Sequence, residues 1–206
     1  MVYKNLFIRS VTSICLILLF IFLIFFYENL IKYISILIYL ILFVETLYFF
    51  KEKKIFIMIY LFISAFFFHF FLFLVYDQFI LLLTISIIIL FDTFSYIFGS
   101  LLGKKKIIPS ISPNKTYVGF ILGFLLTLLI INLAISFFNL SIIKVNTYII
   151  LIILIAFIGD LIESFLKRKS KIKNSSNFLP GHGGFFDRFD SFILASFILP
   201  FSNYIL

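Results

Sequence analysis

The chain has 206 residues, 64% of them hydrophobic and 13% charged, with a mean hydropathy of +1.24, and no water-soluble fold hides that much apolar surface. Its net charge of +8 would raise nucleic acid as a partner for a soluble domain, but here the basic residues flank apolar runs, so the partner is the lipid bilayer and nucleic acid is set aside. At roughly 20 residues per spanning helix, the length allows about seven or eight spans and no separate soluble domain.

In chain order, the first apolar run is Phe7 to Tyr27. Lys4 before it and Arg9 at its start suit a signal peptide, but its length and its lack of a small-residue cleavage site predict a retained helix. Cys15, the single cysteine, lies inside this run, so neither an intrachain disulfide nor a thiolate metal cluster is available. Lys32 to Phe50, Ile55 to Tyr76, Gln78 to Phe98, Tyr117 to Phe138 and Thr147 to Leu166 read as the next five helices. Phe189 to Leu206 reads as a seventh; it is short and carries Asp190 and Pro200, so a re-entrant segment is its alternative. The fold class is therefore all-α, a polytopic integral membrane protein of about seven transmembrane helices. The 33 Phe read as lipid-facing filler.

The charges orient the chain. Alternating the connections puts fifteen of the seventeen basic residues on one side and leaves only Lys32 and Lys144 on the other. The positive-inside rule then places the N-terminus and both longer loops in the cytoplasm. Lys104, Lys105 and Lys106 read as part of this ordinary asymmetry.

Carboxylates at membrane depth are costly and usually face a protein interior or a wet cavity. Glu45, Asp92 and Asp160 each lie five or six residues before the cytoplasmic end of their runs, which is about 8 to 9 Å of helix. Their common depth predicts one polar cavity open to the cytoplasm. Asp160, Glu163, Ser164 and Lys167 follow at i, i+3, i+4 and i+7, one face of a helix. His69 and Asp77, at the opposite end of the third run, read as non-catalytic.

After that stripe comes a long polar segment, running through Lys167-Arg168 and a basic loop to Pro180-Gly-His182-Gly183-Gly184-Phe-Phe-Asp187-Arg188-Phe-Asp190. Asp160, Asp187 and Asp190 are hard oxygen ligands suited to Mg²⁺. Lys167, Arg168 and Arg188 suit phosphate oxygens, and glycines let backbone N–H groups approach an anion. A second segment, Asp92-Thr-Phe-Ser-Tyr96, Gly103-Lys104 and Ser112-Pro-Asn-Lys115-Thr116, adds a lysine in a turn-rich setting as a further phosphate ligand.

In this register, Ser164-Phe-Leu-Lys167-Arg168, Lys173-Asn174, Ser176, Leu179-Pro180, His182-Gly-Gly-Phe and Asp187-Arg188-Phe-Asp190 resemble the signature of the phosphatidate cytidylyltransferases. Asp92 to Gly103 and Ser112 to Gly119 are similar to the family's upstream motifs, so the resemblance covers about the C-terminal half. The chain departs from the family pattern at Phe94, Val118 and Asn174. The resemblance implies transfer of CMP from CTP to phosphatidate, giving CDP-diacylglycerol and pyrophosphate in phospholipid biosynthesis. It also implies N-terminal transmembrane helices over residues 1–90 and a catalytic transmembrane region over 91–206, with cytoplasmic loops at 99–116 and 167–188. Catalysis is assigned to Asp160, Asp187, Lys167 and Arg188, and Mg²⁺ ligation to Asp160, Asp187 and Asp190. Substrate binding is assigned to Lys115, Arg168, Ser164, Ser112, His182, Gly183 and Gly184. A second cation such as K⁺ and a homodimer stay open. The implied location is a bacterial inner membrane, with the active site facing the cytoplasm.

Three rival readings remain from the sequence. A CTP-dependent lipid kinase or a CDP-archaeol-type synthase would share much of the site, and a catalytically dead scaffold would keep the fold. A cation transporter would instead use the buried acids as an ion path, but it predicts charges near mid-bilayer and helices broken by Gly or Pro.

Overall fold

A computed structural model describes residues 28–136, 141–172, 174–176, 178 and 183–206. Among the described residues, five helices are long and apolar enough to cross a membrane: Asn29–Phe49, Lys54–Val75, Gln78–Leu102, Tyr117–Ile135 and Ile142–Lys169. They match the second to sixth expected runs within a few residues, and they make the chain an integral membrane protein. The first expected run, Phe7 to Tyr27, and Cys15 within it lie outside the described residues.

The helices are α1 (Glu28–Phe49), α2 (Lys54–Phe70, continued as a π-turn over Phe71–Val75), α3 (Gln78–Leu102), α4 (Tyr117–Ile135) and α5 (Ile142–Lys169). Helix is the solution lipid demands, because it satisfies every backbone N–H and C=O within the segment. The ends are closed by side chains. Lys54 Nζ donates to Leu47 O at 2.8 Å at the end of α1. Asp77 Oδ1 accepts from the N–H groups of Phe79 at 2.8 Å and Ile80 at 3.2 Å, capping α3. Thr116 Oγ1 accepts from Gly119 N at 3.1 Å and caps α4.

Between α3 and α4 the chain forms an antiparallel hairpin, β1 (Lys106–Ile108) and β2 (Ser112–Thr116), pairing Lys106 with Thr116 and Ile108 with Ser112. The expected loop at 99–116 is thus mostly structured: its start belongs to α3 and its remainder to the hairpin. The sequence reading did not anticipate these strands, since Pro109, Pro113 and three consecutive lysines are poor strand formers.

Two close helix crossings set the geometry of the site. At Gly119, a Cβ would lie 2.5 Å from Ser95 O and 2.9 Å from Gly99 Cα, so α4 meets α3 backbone to backbone. At Gly159 of α5, a Cβ would lie 2.7 Å from Asp190 O and 3.1 Å from Leu194 Cβ. Helix α6 (Phe186–Ala195) therefore crosses α5 beside Asp160. Polar ties join the bundle elsewhere: Asn132 Nδ2 donates to half-buried Asn146 Oδ1 at 2.7 Å, and buried Ser64 Oγ meets Tyr39 OH at 2.6 Å and Ser196 Oγ at 2.9 Å.

The seventh expected run is not one continuous helix. Helix α6 ends at Ala195, a turn follows, and Leu199–Phe201 form a 3₁₀ turn before the short α7 (Ser202–Ile205). Pro200 in that turn has no N–H for an α-helical bond, and Ser196 Oγ bonds back to Ile193 O at 2.8 Å. At 10 residues, α6 is about 15 Å long, half the hydrocarbon thickness. The re-entrant alternative describes it better than a span.

Candidate active site

Where α3, α4, α5 and α6 meet the hairpin, a cavity of about 330 Å³ opens, within the range of ligand pockets. Its polar lining includes Asp92 from α3, Ser112, Asn114 and Lys115 from β2, Asp160 from α5, and Asp187, Arg188 and Asp190 from α6. Phe91, Phe120 and Phe157 form an aromatic wall, with the Phe120 and Phe157 rings 4.8 Å apart. Two of the three acids expected at a common depth, Asp92 and Asp160, do share this cavity. Glu45 is not among its lining residues, because its carboxylate turns to the N-terminus of α6 instead.

Lys115 Nζ lies 2.6 Å from Asp160 Oδ2 and 4.4 Å from the centroid of the Phe157 ring. The ammonium is held at the cavity wall by an ion pair on one side and a π face on the other. The helical stripe is realised on α5. Ser164 Oγ donates to Asp160 Oδ1 at 3.4 Å, and Lys167 Nζ bridges Glu163 Oε2 at 2.7 Å and Asp187 Oδ1 at 2.9 Å. The repulsion expected between Asp160 and Glu163, one turn apart, is thus countered by a separate lysine on each.

Asp187 also accepts from Ser175 N at 3.0 Å and Gly184 N at 2.9 Å through Oδ2. Burial would raise its carboxyl, but the hydrogen bonds donated by Gly184 N and by the Lys167 ammonium hold it below its ordinary value. Gly183 adopts φ +87°, a conformation glycine takes without strain, and a Cβ there would sit 2.5 Å from Asp187 Oδ2. Arg168 points elsewhere: it is exposed, and its Nε donates to Ile111 O at 3.3 Å, bracing the hairpin. His182 lies outside the described residues.

Asp160, Glu163 and Asp190 each bring a carboxylate oxygen within 4.8 Å of the others. Glu163 is 2% exposed. Among the described residues its Oε1 has no hydrogen-bond partner, and Oε2 has only the Lys167 ion pair. A buried carboxylate oxygen without a donor is costly, and a hard divalent cation satisfies it. This donor set therefore fits Mg²⁺ through an orphaned oxygen of the protein itself. Glu163 stood out in the sequence only as a member of the α5 stripe, and its i+3 spacing from Asp160 was the signal. The aromatic wall had no such signal, because Phe is spread along the whole chain.

Residues 55–206 match the model of the cytidylyltransferase family. The chain belongs to that family. All the cavity residues named above fall within the matched region. Among curated relatives, the phosphatidate cytidylyltransferase of Staphylococcus haemolyticus is 46% identical over 117 residues, which is 56% of this chain and 44% of the relative. That of Staphylococcus saprophyticus is 44% identical over 128 residues, 61% of this chain and 48% of the relative. That of Staphylococcus aureus strain COL is 45% identical over 123 residues, 58% of this chain and 46% of the relative. The chain thus spans about half the length of the curated relatives it matches. Family membership agrees with the resemblance drawn from Ser164 to Asp190.

Proposed function

We propose that this protein transfers a cytidylyl group from CTP to phosphatidate, giving CDP-diacylglycerol and pyrophosphate, at the cytoplasmic face of a bacterial membrane. The observation that carries the reading is the convergence of Lys115, Arg188, Asp160 and Asp190 on one cavity at the ends of membrane-length helices. There a lipid headgroup and a soluble nucleotide can meet. Membership of the cytidylyltransferase family and the names of the staphylococcal relatives support it.

In the proposed reaction, a phosphatidate phosphate oxygen attacks the α-phosphorus of CTP in line. One P–O bond forms, the bond from the α-phosphorus to the bridging oxygen breaks, and pyrophosphate leaves with that electron pair. The nucleophile is already ionised, so no strong general base is required. The difficulty is bringing two polyanions together. Lys115 and Arg188 at the cavity wall neutralise phosphate oxygens, and Arg188 offers a bidentate fork. Lys167 holds Asp187 and Glu163 in place between α5 and α6.

Asp160, Glu163 and Asp190 are the residues that would hold Mg²⁺, and Asp187 is a fourth carboxylate on the same cavity wall. When bound, the ion polarises phosphoryl oxygens and aligns the reacting groups. The test is the purified protein with CTP, phosphatidate and Mg²⁺. Release of one pyrophosphate per CDP-diacylglycerol is expected, and release of CDP in its place would mark a lipid kinase and overturn the reading.

A further inference from the structure

Glu45 lies on α1, ahead of the matched residues 55–206, and is 0% exposed. Its carboxylate receives four hydrogen bonds from the described residues. Oε1 accepts from Ser176 Oγ at 2.6 Å and Phe185 N at 2.8 Å; Oε2 accepts from Ser175 Oγ at 3.2 Å and Phe186 N at 2.9 Å. All four partners are donors, the pattern a carboxylate satisfies by accepting only. The two backbone groups are those of Phe185, the N-cap of α6, and Phe186, its first residue, where N–H groups lack intrahelical partners and the helix dipole favours negative charge.

The same two short segments hold Asp187. Ser175 gives its hydroxyl to Glu45 and its N–H to Asp187, while Gly184 N bonds Asp187 next to the Phe185 and Phe186 groups that bond Glu45. A Cβ on Gly184 would collide with Ser175 Oγ and lie 2.7 Å from Glu45 Oε1, so the fit around this carboxylate is tight. Asp187 in turn fixes Lys167, and the turn of α6 that follows carries Arg188 and Asp190 into the cavity.

We infer that Glu45 is a positioning residue for the reaction: from a helix outside the family match, it clamps residues 175–176 and the N-terminus of α6, and so sets the placement of Asp187, Lys167, Arg188 and Asp190. Glu45, Ser175 and Ser176 are not among the residues that line the cavity. The inference rests on the cytidylyl-transfer reading for its kinetic consequence, but its geometric consequence is independent of that reading.

The test compares Glu45→Gln, Ser176→Ala and Ser64→Ala in the full-length protein. Glu45→Gln keeps the shape but sets an amide NH₂ against a donor. Ser176→Ala removes one donor and is the milder variant, and it decides the matter if Glu45→Gln does not fold. Ser64→Ala is the control. It breaks the buried network with Tyr39, Ile193 O and Ser196 at the far end of α6, and it lowers stability without touching the clamp.

At a temperature where all three are folded, Glu45→Gln is expected to raise the Mg²⁺ concentration for half-maximal pyrophosphate release about tenfold and to lower kcat about tenfold, with KM for phosphatidate unchanged. Ser176→Ala shifts both in the same direction by about two- to threefold, and Ser64→Ala shifts neither. Trypsin cleavage at exposed Lys171 accelerates severalfold in Glu45→Gln and not in Ser64→Ala. Equal catalytic constants for the Glu45→Gln and Ser64→Ala proteins would overturn the inference, as would a Ser176→Ala protein unchanged in every readout. If the parent protein releases no pyrophosphate, the functional reading fails, and trypsin alone decides the clamp: acceleration upholds it, and its absence overturns it.

Discussion

Lys167 is the residue whose removal tests the electrostatics of the site most severely. Its ammonium lies 2.7 Å from Glu163 and 2.9 Å from Asp187, with side-chain exposures of 15% for the lysine and 2% and 9% for the acids. Lys167→Met leaves both carboxylates buried without their shared cation. Breaking a buried pair by removing one partner costs about 3 to 5 kcal/mol. At about 2 to 4 °C per kcal/mol for a chain of this size, the midpoint of thermal unfolding in detergent should fall by roughly 6 to 20 °C. Adding Glu163→Gln removes one of the stranded charges and should restore about 1 to 3 kcal/mol as a coupling between neighbours. Activity should not return with stability, because Glu163 also belongs to the proposed metal-binding set; pyrophosphate release should stay about 10² to 10³ below the parent. The assay pairs a thermal melt with a pyrophosphate-release rate for the two single variants and the double. A Lys167→Met protein that melts with the parent, or a double variant whose losses simply add, would refute this account of the bridge.

Three further outcomes follow from the same geometry. Gly119→Val drives a side chain against Ser95 O and Gly99 Cα, both backbone, so α3 and α4 must separate; a loss of about 1 to 3 kcal/mol is expected in thermal melts, and an unchanged midpoint contradicts the crossing. Lys115→Ala releases Asp160 and takes a cation from the cavity; kcat/KM for CTP should fall about 10²-fold, with partial recovery in Lys115→Arg. Asp187 is held below its ordinary value, so the stability it contributes is present above about pH 4 and is lost as pH falls through the lower folded value. Unfolding measured from about pH 6 to about pH 3 should show that acid-side loss in the parent and a flatter profile in Asp187→Asn.

Much of the fold and site is legible in the sequence, for definite physical reasons. Apolar runs of membrane length leave little freedom, so α1 to α5 fall where hydropathy puts them. The helical period carries Asp160, Glu163, Ser164 and Lys167 onto one face without any knowledge of their neighbours. Asp77 and His69, read from the sequence as non-catalytic, make local bonds: Asp77 caps α3, and His69 meets Ser35 Oγ and Ala65 O. What the sequence does not carry is tertiary. Depth alone groups Glu45 with Asp92 and Asp160, but which way each side chain turns depends on where the N-terminus of α6 lies, and that follows from the crossing at Gly159. Likewise Asp187 reads as a bare metal ligand until Ser175 and Gly184 are seen around it. The run from Phe189 to Leu206 misleads because its hydropathy suits a span, while Ser196 and Pro200 break the backbone.

The proposed reaction breaks CTP between its α- and β-phosphorus atoms, with the lipid phosphate as acceptor. Supplying the purified protein with phosphatidate, Mg²⁺ and CTP labelled at either the α- or the γ-phosphorus reads this directly. The α-label is expected in the lipid product and the γ-label in pyrophosphate. Label passing from the γ position into lipid, or no transfer from either position, would contradict it.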